Sequence, residues 1–126
     1  MKSYYEIDSA HNLILKGHRG KLAVDDEIEV VNAILADPKY KKGMGAFCDL
    51  TEASVNWSLE ELDRFRVFVA RIKSVCGKSR WGIHISPGKD NTTARMFAAL
   101  HDAFEDTITV KLFEDREEAL KWVKGK

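Results

Sequence analysis

The chain has 126 residues, 44% of them hydrophobic, with twenty basic and twenty acidic side chains that cancel to a formal net charge of zero. That length and apolar content suit one domain over residues 1–126, and the balanced charge gives no global field to draw in nucleic acid or an anionic membrane surface. No stretch is long and apolar enough to span a bilayer, no apolar signal region opens the chain, and Cys48 and Cys76 sit in apolar periodic segments without disulfide or metal-ligand spacing; the expectation is a cytoplasmic protein with no metal and no cofactor.

In chain order, Tyr4 to Asp8 and Leu13 to Gly17 read as two strands joined by the turn-like Ser9-Ala10-His11-Asn12, pairing antiparallel. From Asp25 or Asp26 to about Ala36, Ile28, Val31 and Leu35 recur at helical spacing, and Asp37-Pro38 stops the helix. Met44 to Leu50 forms a third strand. Leu62, Phe65, Val69, Ile72 and Cys76 then repeat at steps of three and four behind Ser58-Leu59-Glu60-Glu61, a capping box, and Gly77 closes that helix. Trp81 to Ser86 is a fourth strand, broken by Pro87-Gly88 before a helix from about Thr92 to Glu105 with Phe97, Leu100 and Phe104 on its inner stripe. Ile108 to Phe113 and Glu117 to Lys124 supply a last strand and helix, docked through Leu120 and Val123, with Ala119 allowing close approach.

Strand and helix alternate after the opening hairpin, which predicts parallel strands joined by right-handed crossovers. The strands themselves alternate, as in Trp81/Ile83/Ile85 against Arg80/Gly82/His84. A sheet buried on both faces would read as continuous apolar runs, so helices are expected on one face only. The fold class is α/β, with a single five-stranded mixed sheet in order 1-2-3-4-5, the first strand antiparallel and the rest parallel, and four helices mainly on one face. The other face is expected to lie open and to show Phe47, Asp49, His84, Lys111 and Phe113, with Ile14 and Lys16 nearby, a mixed surface suited to a protein partner or to a second copy in a homodimer.

The rim after the parallel strands, where ligands of such sheets gather, is expected to collect His18, Arg19 and Lys21, then Asp49 to Asn56, then Ser86 to Thr93. Arg19, Lys89, Thr92 and Thr93 are its candidate anion site, with Asp90 or Asn91 capping the helix as the plainer reading. No catalytic constellation emerges. Cys48 and His84 fall on opposite faces of adjacent strands, Cys76 ends an apolar stripe, and His101 stands between Phe97 and Phe104 as a structural histidine.

Several segments together resemble a known group: Tyr5-Glu6-Ile7-Asp8, Asn12-Leu13-Ile14, Ala36-Asp37-Pro38-Lys39-Tyr40, Phe47-Cys48-Asp49-Leu50 and Val110 to Asp115 leading into Glu118-Ala119-Leu120-Lys121-Trp122-Val123. Over nearly the whole chain the sequence resembles the SpoIIAA-like proteins, related in fold to anti-sigma-factor antagonist (STAS) domains and distantly to Sec14-type lipid-binding domains. The resemblance implies a noncatalytic regulatory or protein-interaction domain. In antagonist proteins the loop after the matching strand carries a Ser-Ser-Gly signature with a phosphorylated serine; here Asp49 to Ser58 lacks it. Asp49, Thr51, Ser54 and Ser58 remain the candidate switch loop or phosphoacceptors, against which Ser58 reads as an ordinary cap answered by Glu61. The Sec14 likeness and the aromatics Phe65, Phe68, Phe97 and Phe104 carry the alternative, a carrier of a small apolar ligand.

Overall fold

A computed structural model describes residues 2–104 and 107–125, with the side chain of residue 104 left aside; the end of the expected third helix at Glu105 and the inward placing of Phe104 lie outside the described residues. Strand β1 (Lys2–Asp8) turns through one 3-10 turn, Ser9–His11, into β2 (Leu13–Lys21); helix α1 (Val24–Ala36), β3 (Gly45–Ser54), α2 (Leu59–Cys76), β4 (Ser79–His84), α3 (Thr92–Phe104), β5 (Ile108–Phe113) and α4 (Arg116–Val123) follow. The five strands form one sheet in sequence order, β1 antiparallel to β2 and the others parallel, as the sequence predicts.

Each crossover from β2 to β5 steps to the next strand in the same direction, so a constant hand sends α1, α2 and α3 to one face. Their stripes meet the strands there. Val31 of α1, Phe65, Val69 and Ile72 of α2 and Phe97 of α3 pack with Cys48, Ile83, Ile108 and Val110. The α2 start is the predicted capping box, with Ser58 Oγ accepting from the Glu61 amide and Glu61 accepting from the Ser58 amide. Helix α1 has no side-chain cap, but Asp25, Asp26 and Glu27 in its first turn complement the positive end of the helix.

Three expectations need correction. First, the last helix does not leave the second face bare. Among the described residues α4 leads into no further strand of the sheet, so no crossover fixes its side, and it folds back over the opposite face. Ala119 and Val123 are buried there against two glycines, Gly45 and Gly82, where an added Cβ would stand 2.6 Å from a Val123 methyl in each case. Phe47, on the predicted face, is therefore only 2% exposed. Second, β2 and β3 run further than predicted. Residues 18–21 and Thr51 to Ser54 extend the predicted strands, with a register shift that matches Gly17 to Asp49 but Arg19 to Glu52. This bulge resets the alternation, so Ala53 is buried where a loop was expected. Third, Ile14 pairs with Ala46 and Lys16 with Cys48, which puts both on the face covered by α1. Ile14 is buried with Ile7, Ile34 and Met44 and is no part of an open face.

Candidate functional site

On the side of the three helices, β2 carries Ile14, Lys16 and His18 inward, and the inward stripe of α1 carries Val24, Glu27, Val31 and Ile34. A lysine, a histidine and a glutamate thus occupy positions where the strand and helix periods call for apolar residues. They find one another. Lys16 Nζ donates to Glu27 Oε1, His18 Nε2 lies 3.1 Å from Glu27 Oε2, and His18 Nδ1 lies 2.8 Å from Ser3 Oγ of β1. Cys48, the neighbour of Lys16 across the sheet, completes the group.

The electrostatics follow from burial and pairing. Burial alone would raise the Glu27 carboxyl, but the Lys16 ammonium and the His18 contact outweigh it and hold it down at about 2. Burial would likewise lower Lys16, yet the Cys48 and Glu27 groups raise it above the ordinary lysine value. Burial pushes the Cys48 thiol up to about 12, so it keeps its proton at neutral pH unless a metal ion displaces it.

Lys16, Glu27 and Cys48 line a cavity of about 90 Å³ between the sheet and helices α1 to α3. Its remaining walls are mainly aliphatic and aromatic, including Leu35, Met44, Trp57, Phe65 and Phe97. The aromatic side is fixed by ring contacts, Trp57 to Phe65 edge-on at 5.4 Å and Phe65 to Phe97 tilted at 5.3 Å between ring centres. Trp57 is anchored further by its indole N–H to the Leu22 carbonyl at 2.9 Å and its amide to Thr93 Oγ1 at 2.9 Å.

The residues singled out from the sequence are largely engaged with internal partners. Asp49 Oδ1 accepts from the Thr51 amide and, at 2.6 Å, from the Thr51 hydroxyl; Ser58 is the α2 cap; Ser54 closes the end of β3. Arg19 pairs with Glu52 at 3.1 Å, the Thr92 amide bonds Asp90, Thr93 is buried under Trp57, and Lys89 is exposed in the loop before α3. On the α4 face, Arg116 lies 4.8 Å over the Phe47 ring, His84 Nε2 is 3.3 Å from the Glu114 carbonyl, and Lys111 stands over the Phe113 and Trp122 rings. Sequence reasoning missed Glu27, set His18 on the rim where the structure buries it, and placed Lys16 on the wrong face. The signal was a charged residue in the buried phase of a strand and another in the buried phase of the helix that crosses it.

The structure is an α/β domain with a SpoIIAA-like fold and a partly polar internal cavity. The chain is similar to the solved structure of an uncharacterized protein of the DUF3478 family with a SpoIIAA-like fold from Shewanella loihica PV-4, at 18% identity and a TM-score of 0.63, covering 96% of this chain and 93% of that one. No protein-family model matches the chain, and no curated protein does. Among the described residues, no helix is long and apolar enough to cross a membrane.

Proposed function

We propose that this chain is a noncatalytic binding domain that holds a small, largely apolar molecule between its sheet and helices. The observation that supports it is the cavity of about 90 Å³, because close-packed interiors keep few voids larger than a water molecule. An apolar void of roughly 150 Å³ accommodates benzene. This one is smaller, so without rearrangement it suits a ligand below benzene in size, such as a chain of a few carbons, and a ring or lipid tail would need the helices to part. Lys16 and Glu27 in the wall favour a ligand with one hydrogen-bonding group. Buried free thiols at Cys48 and Cys76 suit a cytoplasmic setting. The test is titration with a small alcohol, 1-propanol, read by amide chemical shifts. Shifts clustered around Trp57, Phe65 and Phe97 are expected, and they should vanish in Ala94→Leu, which fills the cavity from α3. Absence of any saturable shift, together with native mass spectra free of a co-purified small molecule, would sink the reading.

A regulatory protein-interaction domain, self-pairing included, is the second reading. It draws on the strip beyond α4, where Tyr4 is 46% exposed and lies over Gly17 on the same face as the Arg19–Glu52 pair. Sedimentation of the native chain against Tyr4→Glu tests it; identical mass at high concentration, with no loss of partner capture, counts against it.

A further inference from the structure

We propose that His18, Glu27 and Cys48 form a site for one divalent transition-metal ion of the zinc class, buried between β2, β3 and α1. One ligand atom from each, an imidazole nitrogen, a carboxylate oxygen and a thiol sulfur, all lie within 4.8 Å of one another, and all three residues are buried. Ligand atoms around a tetrahedral zinc ion sit roughly 3.5 Å apart. Closing the cluster onto an ion therefore takes side-chain movement on the order of an ångström, not a change of fold. The donor set of nitrogen, oxygen and sulfur is the one that zinc accepts and that calcium or magnesium does not.

A second observation points the same way. His18 Nδ1 is tied to Ser3 Oγ at 2.8 Å, which leaves Nε2 directed at Glu27. Metal-binding imidazoles are held in this manner, with the far nitrogen bonded to a polar group that fixes the ring. The expectation of no metal rested on the two cysteines lacking a ligand spacing. The donors come instead from three elements that only the fold brings together.

Lys16 acts as the resident counter-ion when the site is empty. A metal ion entering the group takes the place of the Cys48 thiol proton, which leaves to solvent, and competes with Lys16 for Glu27. The cavity borders both Glu27 and Cys48 and has room for a water as a fourth ligand.

The decisive experiment is titration of the metal-free full chain with Co²⁺ as a spectroscopic stand-in. One equivalent is expected to bind, with a near-ultraviolet sulfur-to-cobalt charge-transfer band, and Zn²⁺ should displace it. The band should vanish in Cys48→Ser and persist in Cys76→Ser; Ser3→Ala, a positioning change, should weaken binding by about 10–100-fold. Cys48→Ala serves if the serine variant fails to fold, with far-ultraviolet circular dichroism as the check. No saturable band, a band retained without Cys48, or one lost only without Cys76 overturns the proposal and leaves the cluster as a structural anchor of α1. No organic ligand enters this titration, so its outcome is separate from that of the cavity reading.

Discussion

At the residue scale the energetic weight falls on Glu27. Its carboxyl ionises at about 2 in the folded chain against an ordinary 4.5, so its contribution is present in full above pH 4.5 and is lost as pH falls from there toward 2. That difference corresponds to roughly 3 kcal/mol. Urea denaturation is expected to show a fall of this order between pH 5 and about pH 2 in the native chain and a much shallower one in Glu27→Gln. Removing only the cation is worse than removing the pair. Lys16→Met leaves a buried carboxylate without its ammonium and is expected to cost about 3–5 kcal/mol, whereas Lys16→Met with Glu27→Leu replaces charge by packing and should recover most of the loss. A double-mutant cycle at neutral pH measures this; equal destabilisation by the single and double variants would contradict it.

At the element scale, α4 depends on two positions that carry no side chain. At Gly82 a methyl would meet Val123 Cγ2 at 2.6 Å, with its next neighbours no nearer than 3.6 Å. Gly82→Ala should therefore cost about 1–3 kcal/mol, and Val123→Ala in the same chain should relieve much of it. Gly45→Ala also meets the Val123 carbonyl oxygen, at 2.8 Å, and the same second change should not rescue it. Denaturation midpoints of the four variants distinguish the two glycines. The elements themselves were legible because local chemistry marks them: Ser58 with Glu61 opens α2, Gly77 closes it, and Asp37-Pro38 ends α1. The ends of β2 and β3 were not, since the register shift after Gly17 breaks the alternation that would have carried the strand through to Ser54. The face taken by α4 was hidden for a different reason. Handedness governs a helix between two parallel strands, and among the described residues α4 joins only β5. The candidate site was half legible, as Lys16 and Glu27 interrupt apolar periods visible in the sequence, whereas their meeting with His18 and Cys48 depends on strand register and on where α1 crosses it.

At the scale of the whole molecule, a sheet with three helices on one face has a second face too apolar to stay wet, and one short helix covers much of it. Helix α4 does so with Ala119 and Val123 against the glycines, Trp122 against Phe113 at 5.6 Å between ring centres, and Arg116 over Phe47. The Arg80 guanidinium ties it down, donating to the Trp122 carbonyl at 2.9 Å while stacking on the Trp122 ring. Ending the chain after Glu114 removes this cover and leaves Phe47 and Phe113 facing water together, an apolar patch of the kind that drives association. Sedimentation velocity is expected to show the shortened chain at a higher mean mass than the full chain at equal concentration. Phe47→Ser in the shortened chain should lower that mass, since it removes one of the two phenyl rings from the exposed patch. If the shortened chain sediments and melts like the full one, α4 is an ornament on a face that the sheet itself keeps soluble, and the docking of Val123 into the two glycines contributes nothing to holding the molecule together.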